Sequence, residues 1–234
     1  MDFGSFVLAA STADLTEEPA AREHADAVEF RMDLAEEPLA QLADYDGELP
    51  ILATNRVAWD GGEAPDDEAR LDALVEALEA PAVEAVDVEL DAIQAGFIED
   101  VLEADRCDAE RVVDRAREAG VAVVVSAHDF DGMPDRDGVR RRLMLAAERG
   151  DVAKFAGTAL TTADALDLLA VTHERAEAGD VVATMAMGEA GRHTRAVAPV
   201  YGSRIGYAPV DPARATAPGQ YDLATLRSLV DRLQ

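Results

Sequence analysis

Short apolar runs alternate with acidic amphipathic stretches along the chain, the pattern of repeated β/α units. The runs predict strands near 3–10, 26–33, 50–56, 84–90, 121–128, 151–156, 181–187 and 203–208. Helical periodicity falls between them and after the last, most clearly over 66–79, 108–119, 136–149, 162–177 and 222–233. With this many strands and about as many helices, no strand is left to serve as an edge, which favours a closed barrel over an open doubly wound sheet. The expected fold class is therefore α/β, a (β/α)8 TIM barrel in one domain over 1–234, near the usual size of about 250 residues. No glycine-rich phosphate-binding stretch follows the first strand, so a nucleotide site has no support.

Parity within the strands carries more information than their number. Side chains alternate faces along a strand, and in a barrel one face meets the helices while the other points inward. Strand two sets Val28, Phe30 and Met32 against Glu29, Arg31 and Asp33, and strand three sets Ile51 and Ala53 against Thr54 and Arg56. Strand four opposes Val86, Val88 and Leu90 to Asp87 and Glu89, and strand five opposes Val123 and Val125 to Ser126 and His128. Strand six carries Lys154 with Val152, and strand seven carries Met185 and Met187. The polar sets fall at strand C-termini, the end of an α/β barrel where active sites are built.

Composition narrows the function. No stretch of about 18 consecutive apolar residues occurs, which excludes a transmembrane helix. The chain opens on Phe3-Gly4-Ser5-Phe6-Val7-Leu8 with no basic segment before it, so this end reads as a strand and not as a signal peptide. The one cysteine, Cys107, permits no intramolecular disulfide and suggests no zinc cluster. A cytoplasmic protein fits these features. Acidic residues number 48 against 21 basic, a formal charge of -27, and that sign repels nucleic acid and anionic membrane alike. The acids are spread along predicted helices (Glu17, Glu18, Asp66, Asp67, Glu68, Glu76, Glu79). Such a surface fits a halophilic protein whose self-repulsion is screened by molar salt.

Of the 21 basic residues, 20 are arginine and one, Lys154, is lysine. A chain that avoids lysine this thoroughly would use arginine wherever a generic cation sufficed. What guanidinium cannot do is become a neutral amine, whereas a lysine desolvated or crowded by cations becomes a nucleophile. Neighbouring strands lie about 4.8 Å apart, which places His128 on strand five beside Lys154 on strand six. Met185, Met187 and the cations Arg31, Arg56 and Arg195 would favour the neutral amine, and the arginines would clamp an anionic substrate such as a carboxylate. A histidine can take a proton adjacent to an imine carbon and return it to a leaving hydroxyl. The protonated imine is itself the electron sink, so neither metal nor cofactor is required. Glu29 and Arg31 also admit a plain alternative, a buried structural ion pair.

The stretches Glu29-Phe30-Arg31-Met32-Asp33, Thr54-Asn55-Arg56 followed by Gly61-Gly62, Ser126-Ala127-His128-Asp129-Phe130, Val152-Ala153-Lys154, Met185-Ala186-Met187-Gly188 and Ala217-Pro218-Gly219-Gln220 resemble type I 3-dehydroquinate dehydratase. They occur in that family's order over nearly the whole chain. The resemblance implies a hydro-lyase of the shikimate pathway that converts 3-dehydroquinate to 3-dehydroshikimate by syn elimination through an imine, and it implies a homodimer. The lysine matching Lys154 attacks the ring ketone. The histidine matching His128 is general base and then general acid, assisted by the carboxylate matching Glu29. Arginines matching Arg31, Arg56 and Arg195 lie in the site, the last pairing with the substrate carboxylate, and the glutamine matching Gln220 belongs to a loop that closes over substrate. Two positions depart from the family: Asp60 stands where glutamate is common before the double glycine, and Thr216 where serine is common. Both are expected at the substrate site. Two other readings use the same residues. A class I aldolase would employ the lysine to cleave a carbon–carbon bond, and a non-catalytic barrel would bind an anion without turnover.

Overall fold

The computed structural model describes residues 1–66, 68–95, 109–211, 213 and 219–233. Among these, eight strands form one parallel sheet: β1 (Val7–Thr12), β2 (Ala27–Arg31), β3 (Ile51–Thr54), β4 (Val83–Glu89), β5 (Ala122–Asp129), β6 (Val152–Thr158), β7 (Val182–Met187) and β8 (Ile205–Pro209). Their order is β7-β6-β5-β4-β3-β2-β1-β8. The two end strands are drawn together where Arg204 N donates to Val182 O at 2.7 Å and Thr184 N donates to Ser203 Oγ at 3.0 Å, so the sheet curls into a nearly closed barrel. The helices are α1 (Glu18–Ala21), α2 (Pro38–Ala43), α3 (Glu68–Ala77), α4 (Leu90–Ala95), α5 (Glu110–Ala119), α6 (Arg136–Ala147), α7 (Thr162–Glu177), α8 (Thr194–Val197) and α9 (Leu223–Leu233). The (β/α)8 expectation holds. No helix among the described residues is long and apolar enough to cross a membrane.

The helices start where the sequence supplies a cap. Asp135 accepts from Gly138 N at 2.8 Å to open α6, Thr161 and Asp164 form a reciprocal capping box at α7, and Asp222 accepts from Thr225 N at 2.9 Å ahead of α9. The first strand lies later than its hydrophobic run suggested. Asp2 accepts from Gly4 N at 2.8 Å and turns the chain, so Phe3 packs with Val7, Leu52, Val124 and Ile205 inside the barrel and is not part of the strand.

The strand parity divides the core in two. Val28, Phe30, Ile51, Val86, Val123, Val125 and Phe155 face outward, where they pack with Leu71, Leu74, Val112, Leu143 and Leu168 of the helices. Ala9, Ala27, Leu52, Ala85, Val124, Val152, Ala183 and Ile205 fill the interior. Along the same inward rows, apolar residues give way to polar ones toward the strand C-termini. The packed lower half thereby becomes a rigid floor beneath a polar cavity.

Candidate active site

The cavity at the C-terminal mouth spans about 560 Å³, part of which is open to solvent. Glu29, Arg31, Arg56, Asp60, His128, Lys154, Met185, Met187, Arg195 and Gln220 all line it, so ten of the positions singled out from sequence meet in one place. Thr216 lies outside the described residues.

Lys154 is 5% exposed and its Nζ lies 2.9 Å from Asp87 Oδ2. Asp87 is shared. Its Oδ1 lies 2.7 Å from Arg56 Nη2 and accepts from Ser126 Oγ at 2.6 Å. Burial pushes the Asp87 carboxyl upward, but the charges of Arg56 and Lys154 and the hydrogen bonds from Ser126 and Lys154 outweigh it and hold the group well below the usual carboxylate range. Arg56 also lies 3.2 Å from Asp60 Oδ2 and 3.4 Å from Glu89 Oε1 through Nη1, which donates to Ser126 Oγ at 2.7 Å. Despite its burial, the surrounding Asp87, Glu89 and Asp60 keep this guanidinium charged more firmly than in water.

Two expected relations differ in the structure. The carboxylate on the His128 ring is that of Asp60, with 2.8 Å between Nδ1 and Oδ2. Glu29, expected to assist His128, instead accepts from Ser11 Oγ in a short bond and from Thr54 Oγ1 at 3.4 Å. The cause is the loop after β3. Ala64 N donates to Arg56 O and Ala58 N to Ala64 O, which doubles the loop back and carries Asp60 over the cavity. The double glycine permits this fold. Gly61 has φ +81°, with the Phe130 ring where a Cβ would stand, and a Cβ on Gly62 would fall 2.0 Å from Arg56 O. The second difference is one of register. Lys154 is paired with Ser126, and His128 with Ala156, so the imidazole stands two residues above the amine along β5 and not directly beside it. Strand stagger in a closed barrel produces this offset.

His128 keeps a solvent edge, with 11% of its side chain exposed, and Phe130 stacks near its ring at 5.8 Å and 13°. Burial, and after it the Arg56 charge, lowers the imidazole below its ordinary value, against the opposing pull of Asp60. Arg31 is committed to Asp33 in a two-pronged pair at 2.9 and 2.7 Å, so the Glu29–Arg31 pair weighed from sequence is not its closest partnership. Arg195 reaches the cavity from α8 and is 5% exposed; burial brings it down to about 10. A desolvated cation at the cavity wall suits an anionic ligand.

Two participants carried little sequence signal. Arg70 on α3 donates through Nη1 to both oxygens of Glu89 at 3.2 and 3.0 Å and to Asn55 O at 2.9 Å, while Asn55 Nδ2 donates to Arg70 O at 3.0 Å. Glu89 also accepts from Val57 N at 3.2 Å, so the backbone on both sides of Arg56 is tied down. Periodicity places Arg70 in a helix, where a charged residue ordinarily points to solvent. Tyr207 on β8 lines the cavity as well, and only its inward parity beside Ile205 distinguished it.

Comparison with known proteins agrees with this arrangement. A family model described as type I 3-dehydroquinase matches residues 6–234. The chain is 60% identical to a 3-dehydroquinate dehydratase of Haloarcula marismortui, over 100% of this chain and 99% of that one. It is 52% identical to a 3-dehydroquinate dehydratase of Halobacterium salinarum over the full length of both. Among solved structures, the 3-dehydroquinate dehydratase of Geobacillus kaustophilus superposes with a TM-score of 0.82 at 29% identity, covering 99% of this chain and 92% of that one. With the barrel, the lysine on β6 and the match running from the first strand to the last helix, the chain belongs to the type I 3-dehydroquinase family.

Proposed function

We propose that the chain dehydrates 3-dehydroquinate to 3-dehydroshikimate through an imine on Lys154. The observation that carries this reading is a buried primary amine on the floor of a cavity whose rim holds an Asp60-oriented imidazole and several guanidinium groups.

Attack begins when the nitrogen held beside Asp87 gives up a proton to solvent, and a proton is returned when the carbinolamine hydroxyl leaves as water. The amine then adds to the substrate ketone and one water departs, leaving a protonated imine. In this mechanism His128 Nδ1–H donates to Asp60, which leaves Nε2 unprotonated to act as base. Nε2 abstracts a proton adjacent to the imine carbon. The electrons pass into the C–N system, and the resulting enamine expels the hydroxyl as it receives that same proton from the imidazolium. Hydrolysis consumes one water and releases the conjugated ketone and Lys154, so the net change is the loss of one water from substrate. The desolvated Arg195 supplies the charge that holds a carboxylate, and Met185 and Met187 form an apolar wall against the ring.

Borohydride reduction during turnover, followed by mass spectrometry, tests the covalent step. A substrate-derived adduct on Lys154 is expected, with formation of an enone absorbance in unreduced samples. Turnover without an adduct would refute the imine. Carbon–carbon cleavage products would favour the aldolase.

A further inference from the structure

Tyr207 has no part in the steps above, yet it lies against the reacting nitrogen. On β8, Ile205 and Tyr207 face the barrel interior while Ala208 packs with α9. The Nζ of Lys154 stands 4.4 Å from the centroid of the Tyr207 ring, and Asp87 Oδ2 holds the same nitrogen at 2.9 Å. A cation within about 6 Å of an aromatic centroid is attracted by the ring quadrupole, most strongly where water is excluded. Tyr207 is 4% exposed and Lys154 5%, so the contact is desolvated. The phenol oxygen is buried with no hydrogen-bond partner among the described residues. The contact with the lysine nitrogen is made by the ring. Burial, reinforced by the nearby Glu29 and Asp87 charges, raises the phenol well above its usual value, and the ring therefore stays neutral.

The two contacts on the nitrogen respond differently to chemistry. An ammonium offers three N–H donors, whereas the iminium formed from it keeps the positive charge with a single N–H. Hydrogen bonding to Asp87 then persists only if that one N–H, whose direction the planar iminium fixes, still points at the carboxylate. Attraction to a π face needs charge and not a donor, so it survives the step.

We infer that the Tyr207 ring is a positioning seat for the cationic nitrogen of Lys154, holding it in ammonium and iminium alike and thereby favouring the cationic imine over the neutral carbinolamine that precedes it. This rests on the imine reading above, and it adds a residue to that site.

The test replaces Tyr207 by phenylalanine and by phenylalanines bearing one, three and five ring fluorines, which drain the π face while leaving ring volume nearly unchanged. The readout is the rate of adduct formation on Lys154 under borohydride at saturating substrate, with melting temperature as a control for folding. Tyr207→Phe is expected to stay within about twofold of the unsubstituted chain. The rate is expected to fall stepwise with fluorination, reaching about tenfold below the Phe variant for the fully fluorinated ring. A packing role would give no such trend. A flat series in a chain that forms the adduct normally would overturn this inference and leave the imine intact. Absence of any adduct in the unsubstituted chain would overturn both.

Discussion

The chemistry at the mouth of the barrel depends on which carboxylate faces which base. Asp60 is hydrogen-bonded to His128 and Asp87 to Lys154, so each of the two basic side chains has its own anion, and Arg56 between them prevents the carboxylates from repelling one another. Because burial and Arg56 hold the His128 imidazole below its ordinary value of about 6.5, the neutral form that the proposed base role needs persists into mildly acidic solution. The acid limb of kcat/KM is expected below that value, activity falling as pH drops through the pKa of the folded enzyme; a limb above 7 would contradict the assignment. Asp60 opposes that shift. Asp60→Asn should therefore move the limb to still lower pH and reduce kcat by about tenfold or more, since the preferred imidazole tautomer is no longer enforced. Lys154→Arg keeps a cation beside Asp87 but cannot become a neutral nucleophile. Enone formation should vanish while the melting temperature changes little, and substantial residual turnover would remove the lysine from the mechanism.

At the scale of elements, the site is held by the connection from β3 to α3. Arg70 on α3 grips Glu89 at the end of β4, and Glu89 accepts from Val57 N immediately after Arg56. A strand end, a helix and a loop are thereby locked around one catalytic-site cation. Removing one partner of a buried pair leaves an uncompensated charge, a loss of about 3–5 kcal/mol. Arg70→Met should therefore lower unfolding stability by roughly that amount in a denaturant titration, and a loss under about 1 kcal/mol would show that the pair is dispensable. The parity of β2 to β7 and the principal helices were legible in the alternation of apolar and polar residues, because burial on one face imposes period two on strands and about 3.6 on helices. The role of Arg70 was not, since its spacing is that of any helical residue and only docking of α3 against β3 and β4 buries it. The partner of His128 was misplaced for a related reason. Glu29 is on the correct face of β2, but the doubled-back loop delivers Asp60 instead.

For the molecule as a whole, charge sets the conditions under which the barrel is stable. A formal charge of -27 spread over helices that surround one core produces repulsion that salt screens with a Debye length of about 3 Å at 1 M. The relatives from Haloarcula marismortui and Halobacterium salinarum fit a chain adapted to such conditions. Melting temperature is expected to rise steadily with sodium chloride from low to molar concentration, with no matching rise under an equal osmolarity of a neutral solute. A temperature independent of salt would remove charge repulsion as the governing term.

The sequence by itself determined the β/α alternation, the inward rows of polar residues and the singular lysine, because each follows from local periodicity or from the chemistry of one side chain. It also determined the family, through motifs short enough to read in one dimension. Tertiary structure alone decided the register that sets Lys154 opposite Ser126, the choice of Asp60 over Glu29 as the partner of His128, and the placement of the Tyr207 ring against the amine. Those relations join residues far apart in the chain, and barrel stagger and loop path, which no local pattern encodes, fix the distances between them.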